Sequence, residues 1–232
     1  MFSMDGNDNG IFHNEESNNM IPEDYLGVPN IIGLNRPEHW TYTMRRHMQE
    51  VVPGVFLGPY RAASRSNLHS LVNHGITHII CIRQSIEANF IKPNFPLTFK
   101  YLVLDIADTM TENIIKHFKK VKEFIDESLS SNGRVLVHGN AGISRSAALV
   151  VAYIMETYEL SQVQADIIVR QRRFCINPNE GFIMQLREYE PIYKAEKMLR
   201  NSSQNLEGQC NKRTIHQIDS DHQDKIVYMT NS

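Results

Sequence analysis

Between residues 40 and 200 the chain divides into blocks of apolar and polar positions, each with its own period. VVPGVFLG, 51–58, is strand material broken by a Pro-Gly turn. Asn67 to His74 has the length of a short helix, and Gly75 closes it. THIICIR, 77–83, YLVLDI, 101–106, and RVLVH, 134–138, are apolar runs of strand length. Between the last two, Ile114, Phe118, Val121 and Ile125 recur at helical spacing. Lys116, Lys119, Lys120 and Glu123 take the other faces, which predicts a half-buried helix stopped at Asn132-Gly133. Ala147 to Met155 is apolar all round and predicts a buried helix. Ser161 and Gln164 form a capping-box pattern opening a further helix. Phe182, Leu186 and Tyr189 mark a last one, which Pro191 is expected to kink or end.

Apolar strands alternating with helices predict an α/β fold: a central, mostly parallel twisted sheet with helices on both faces. The domain is expected over 38–200. Residues 1–37 and 201–232 are polar, without sustained period, and are expected to be disordered segments. In sheets of this kind ligands bind at the carboxyl ends of strands. RVLVH delivers its carboxyl end into HGNAGISRSA, 138–147, which then opens the buried helix.

Composition narrows the function. The chain has 232 residues, 41% of them hydrophobic and 22% charged, as suits a soluble globular domain. Lys+Arg number 24 against 26 Asp+Glu, which argues against a nucleic-acid binder driven by bulk charge. The apolar run Ala147 to Met155 is too short to span a bilayer. The N-terminus has neither the basic stretch nor the apolar core of a secretory signal. Cys81, Cys175 and Cys210 form no CxxC pair and no His-rich metal spacing. The expectation is an intracellular, reduced protein of cytosol or nucleus, monomeric, with no metal and no cofactor.

The 138–147 stretch carries the chemistry. Gly139 and Gly142 permit backbone angles that turn successive N–H groups inward. Those groups and the positive end of the following helix favour an anion. Arg145 supplies a planar fork matched to phosphate oxygens, and Ser144 and Ser146 add hydroxyls or cap the helix. Strand, two glycines, arginine and buried helix coincide, which favours an anion site over a plain turn.

These residues resemble the signature loop of the dual-specificity protein phosphatases, whose pattern is His-Cys, five residues, then Arg-Ser. Every element is present in His138–Ser146 except the cysteine, where Gly139 stands. The likeness extends through FLGPY, HGITHIICIRQ, YLVLDIAD and RRFCINPNEGF, over most of 40–200. It is closer still to a catalytically inactive member of that family.

The resemblance implies a cysteine-dependent phosphatase-like fold and a role for each loop residue. Asn140, Ala141, Gly142, Ile143, Ser144 and Arg145 would hold phosphate. His138 and Ser146 would support the loop, although their work on the cysteine lapses here. An aspartate on a nearby loop protonates the leaving group in the family. Asp108 matches it by spacing, Asp105 less well, and a turn or helix-start acid is the alternative for either. Gly139 cannot attack phosphorus. Ser144 is a weak substitute without a base, and Cys81 and Cys175 read as packing residues. The loop is therefore expected to be catalytically dead. A thiolate would repel a phosphate dianion by roughly 4 kcal/mol at about 4 Å and an effective dielectric of about 20, so its absence favours holding over cutting.

The expected function is binding of phosphorylated Ser, Thr or Tyr proteins, as a competitor, anchor or scaffold in phosphorylation signalling. The resemblance implies MAP kinases as partners, and an F-box ubiquitin-ligase subunit. The alternatives are a scaffold using surfaces away from the pocket, and a residual phosphatase with another nucleophile. Arg45-Arg46 and Lys212-Arg213 are read as solvated charges, the latter faintly like a docking or nuclear-import stretch. Arg172-Arg173 either borders the pocket, as the resemblance suggests, or ends a helix where the dipole favours cations.

Overall fold

The computed structural model describes residues 40–200 and Ser202. The segments expected to be disordered, and Lys212-Arg213 and Cys210 with them, lie outside the described residues apart from Ser202. Five strands form one sheet in the order β1-β2-β5-β3-β4. They are β1 (Gln49–Val52), β2 (Val55–Pro59), β3 (Ile76–Arg83), β4 (Lys100–Asp105) and β5 (Arg134–Gly139). Only the β1–β2 pairing is antiparallel; β2–β5, β5–β3 and β3–β4 are parallel. Pro53-Gly54 turns the hairpin, with Gly54 at φ +78° as the second turn position requires.

The helices are α1 (Leu68–Asn73), α2 (Ile115–Ser130), α3 (Arg145–Tyr158), α4 (Gln162–Arg172) and α5, 180–200. The sheet has two packed faces. Leu57, Ile80, Ile82, Leu104, Val135 and Val137 meet residues of α2 to α5 in the larger core. Phe56, Ile79 and Leu136 alternate to the other side and meet Leu71 of α1, Ala62, Ala63 and Phe99. The central strands are apolar on both faces because both are covered, which is why they read as continuous runs.

Helix α3 is buried from Arg145 to Met155, as its all-round apolar sequence predicts. Ser161 accepts a hydrogen bond from the Gln164 backbone N–H and caps α4. Of the two expectations for Pro191, the ending of the helix is corrected. Helix α5 does not end at Pro191 but continues past it. Tyr189 and Tyr193, one turn apart around the proline, are both buried, and their rings lie 5.5 Å apart. The Tyr193 hydroxyl donates to the Leu160 carbonyl at 2.8 Å, so packing on both sides outweighs the bond that proline removes.

Candidate functional site

The carboxyl end of β5 lies between β2 and β3, and its loop, 140–144, leads into α3. The loop's carbonyls face away from one another's N–H groups and are all engaged. The Asn140 carbonyl accepts from the Tyr60 N–H at 3.0 Å, and the Ile143 carbonyl from the Asn177 N–H at 2.9 Å. The Ala141 and Gly142 carbonyls accept from the Arg173 guanidinium at 3.0 and 2.8 Å. In a trans peptide the N–H points opposite to the carbonyl. The N–H groups of 141–144 therefore turn away from these donors. Those of 141–147 donate to no partner among the described residues. This is an anion cradle joined to a helix N-terminus.

Gly142 makes the turn possible. Its φ is +68°, and a Cβ there would lie 2.3 Å from the Gly58 carbonyl oxygen. Gly139 behaves otherwise, which corrects the expectation that both glycines serve the backbone. It ends β5, pairs with Pro59 and has no positive φ. A Cβ at 139 would meet Ser146 Oγ at 3.5 Å and the Ile82 carbonyl oxygen at 3.7 Å, which are ordinary contacts. The position has room for a side chain.

Arg145 is 8% exposed and forms an ion pair with Glu87. Nη1 donates to Glu87 Oε2 at 2.5 Å and to the Ile106 carbonyl at 3.2 Å, while Nη2 donates to Glu87 Oε1 at 3.1 Å. The hydrogen bond from Arg145 holds the Glu87 carboxyl below its usual range, against the opposing effect of burial. The end of the guanidinium is thus spent on the protein. Its side edge, Nε–H and the second Nη2–H, makes no hydrogen bond among the described residues, but Asp108 Oδ2 lies 3.7 Å from Nε and pairs with it. Glu87 was invisible to sequence reasoning, lying 58 residues from Arg145 in the short turn Ser85–Glu87. The one available signal was an acid just beyond the carboxyl end of β3.

Asp108 stands at the mouth. Its Oδ1 accepts from Ser144 Oγ at 2.7 Å and Asn179 Nδ2 at 2.9 Å, and its Oδ2 is 3.7 Å from Arg145 Nε. Asp105 instead accepts from the Ser85 hydroxyl and pairs across the sheet with Arg83. Ser144 also accepts from the Asn179 N–H at 3.2 Å, so its hydroxyl is held as a strut. His138 is fully buried, and its Nδ1 lies 3.2 Å from the Gly139 carbonyl. Burial pushes its pKa down to about 4, which leaves the imidazole neutral at pH 7. The Ser146 hydroxyl is buried with no hydrogen-bond partner among the described residues. Cys81 is buried in β3, and burial raises its thiol pKa to about 11. That leaves it protonated and inert near neutral pH. Among the described residues no group of His, Cys, Asp and Glu could hold a metal, and no helix is long and apolar enough to cross a membrane.

Arg172 ends α4 and Arg173 is its C-cap, as one expectation had it, and Arg173 also reaches the loop, as the other had it. It is fully buried at the end of α4, yet serves the loop's carbonyls rather than solvent or a ligand. Besides Ala141 and Gly142 it donates to the His47 carbonyl at 2.9 Å, the Gln49 side chain at 2.5 Å and the Arg45 carbonyl at 3.2 Å.

Residues 55–192 match the family model described as the dual specificity phosphatase catalytic domain. The chain belongs to that family. It is 67% identical over 159 residues to the serine/threonine/tyrosine-interacting protein of Mus musculus, covering 68% of this chain and 71% of the mouse protein. It is 63% identical over 166 residues to serine/threonine/tyrosine-interacting protein B of Xenopus laevis, covering 72% and 74%. Among solved structures, the human tyrosine phosphatase-like serine/threonine/tyrosine-interacting protein matches at 66% identity and TM-score 0.63, over 64% of this chain and 98% of that one. The structure of DUSP15 matches at 36% identity and TM-score 0.57, over 62% and 88%. The relatives at 63–67% identity are named for interaction rather than for catalysis, and the chain stands with them as a pseudophosphatase of the family.

Proposed function

We propose that the loop is a phosphate-holding site, and that the chain binds phosphorylated Ser, Thr or Tyr side chains of proteins without hydrolysing them. One observation carries this reading. The N–H groups of 141–147 are unpaired, and the side edge of Arg145 makes only the 3.7 Å ion pair to Asp108, which an oxyanion on the loop would displace, while Gly139 offers no nucleophile. A protein of this kind competes with active phosphatases for phosphoproteins, or anchors them. In the reading taken here MAP kinases are its partner class, and an F-box ubiquitin-ligase subunit is a second one, in cytosol and nucleus. The residues at the mouth, Asp108, Ser144 and Asn179, are locked to one another, which supports a receiving role rather than proton transfer.

Calorimetric titration tests the reading. A phosphotyrosine peptide, a phosphothreonine peptide and their unphosphorylated forms are titrated into wild type, Arg145→Ala and Arg145→Lys. Phosphate-dependent binding that Arg145→Ala abolishes and Arg145→Lys weakens is the expected result. Equal binding of phosphorylated and plain peptides by a folded wild type would overturn it and favour a scaffold that works through other surfaces.

A further inference from the structure

One polar side chain of the cradle is left without a partner. Ser146, the second residue of α3, is 1% exposed, and its Oγ makes no hydrogen bond among the described residues. An unpaired buried hydroxyl costs stability, so it points to a partner that the chain itself does not supply. The space beside it is the side-chain place of Gly139. The nearest heavy atom to a Cβ there is Ser146 Oγ, at 3.5 Å, and the Ile82 carbonyl oxygen follows at 3.7 Å. Two oxygens thus face a place that glycine leaves free. Gly139 ends β5 where the 140–144 loop begins, and Ser146 carries one of the unpaired N–H groups of 141–147. The place therefore lies against the cradle, between its strand and its helix.

We infer that Ser146 is a further phosphate-positioning residue: its hydroxyl holds a water in the side-chain place of Gly139, and that water donates to an oxygen of the phosphate bound on the cradle. The inference rests on the phosphate-holding reading of the loop and adds a residue to it. The hydrogen bonds balance. The water accepts from the Ser146 O–H and donates one proton to the Ile82 carbonyl and the other to the phosphate. A carbonyl oxygen has two lone pairs and can take the added donor. Three bonds is the usual number for a buried water. A Cβ at 139 already stands at ordinary contact distance from its neighbours, so the place has the size of a small group, which suits one water and not a phosphate. A water-mediated bond of this kind is nearly as favourable as a direct one. It also brings a proton to the phosphate where an anionic side chain would repel it. Glycine at 139 thus does more than remove a nucleophile. A side chain without a hydroxyl would cut Ser146 off from the ligand.

The test is calorimetric titration of a phosphotyrosine peptide into the full chain, as wild type, Ser146→Ala, Gly139→Ala, the double variant of these two, Gly139→Ser and Arg145→Ala. Ser146→Ala is expected to weaken binding about three- to tenfold, the size of one hydrogen bond. Gly139→Ala is expected to weaken it by a similar factor, although its Cβ fits, because that carbon takes the water's place. The double variant binds no more weakly than the weaker single one, since each change breaks the same relay. Gly139→Ser puts a hydroxyl where the water stood and binds at least about threefold tighter than Gly139→Ala. Thermal melting of each variant beside wild type certifies the fold. Should Ser146→Ala melt lower, the comparison of Gly139→Ala with Gly139→Ser still decides, because both keep Ser146.

If the peptide binds through Arg145 but a folded Ser146→Ala binds as tightly as wild type, the relay is overturned and the loop reading stands. Losses that multiply in the double variant overturn it as well, because Ser146 and the place at Gly139 then act separately. So does a Gly139→Ser protein that binds as weakly as Gly139→Ala. If the phosphopeptide does not bind wild type, the loop reading fails and this inference with it.

Discussion

Arg145 lays the end of its guanidinium across both carboxylate oxygens of Glu87, at 2.5 and 3.1 Å, and turns its side edge toward Asp108, 3.7 Å from Nε. A fork held this way meets phosphate without first losing its own rotational freedom. Glu87→Ala removes both carboxylate contacts from a buried guanidinium, leaving it the Ile106 carbonyl and the longer pair to Asp108. The expected cost is about 3 kcal/mol of stability, read by urea unfolding, with weaker phosphopeptide binding in whatever fraction remains folded.

Gly139→Cys places a thiol beside Ser146 Oγ at the head of α3. The Cβ fits, so stability is expected to change by less than about 1 kcal/mol. The helix N-terminus and Arg145 favour the thiolate. Hydrolysis of p-nitrophenyl phosphate is expected to rise at least about tenfold over wild type. A folded Gly139→Cys protein without activity would show that the rest of the site has decayed.

Gly142→Ala is expected to behave in the opposite way. At φ +68° a Cβ runs into the Gly58 carbonyl of β2, and backbone cannot step aside. Left-handed strain and overlap together should remove at least about 3 kcal/mol, seen as a fall in Tm.

His138 gives stability a pH dependence. In the unfolded chain its imidazole titrates at about 6.5, and in the native state burial holds it at about 4. Between these values the unfolded chain binds a proton that the native chain refuses. Stability is therefore complete above about pH 6.5 and declines as pH falls toward 4, by up to about 3 kcal/mol. Urea unfolding at stepped pH should show this slope in wild type and a flatter one in His138→Gln.

The strands and helices were legible in the sequence because each depends on its own residues. Ile114, Phe118, Val121 and Ile125 do form the buried stripe of α2, and Gly75 does follow α1 at φ +68°. What the sequence concealed depends on residues far apart along the chain. Glu87 reaches Arg145 only because parallel β3 and β5 bring their carboxyl ends together. Arg173 reads as a pocket-edge or helix-end cation, and the sequence does not show that the fold closes over it and gives every donor on it a carbonyl or amide oxygen. Pro191 obeys local rules until Tyr189 and Tyr193 overrule them. Gly139 looked like a backbone requirement because the loop around it holds a second glycine that is one.

The strand order has a consequence for how the chain comes to exist. The last strand in sequence, β5, lies in the middle of the sheet, and β2 and β3 touch only through it. Before residues 134–139 are synthesised, the β1–β2 hairpin and the β3–β4 pair are separate ribbons, each marginal and open-edged. Their assembly waits on long-range pairing, the slow step in folding. The residue that completes the sheet, Gly139, is also the threshold of the phosphate cradle, so the site is born in the same event as the fold. A chain stalled earlier on the ribosome exposes aggregation-prone edges and has no cradle, and phosphate can act as a folding ligand only after closure.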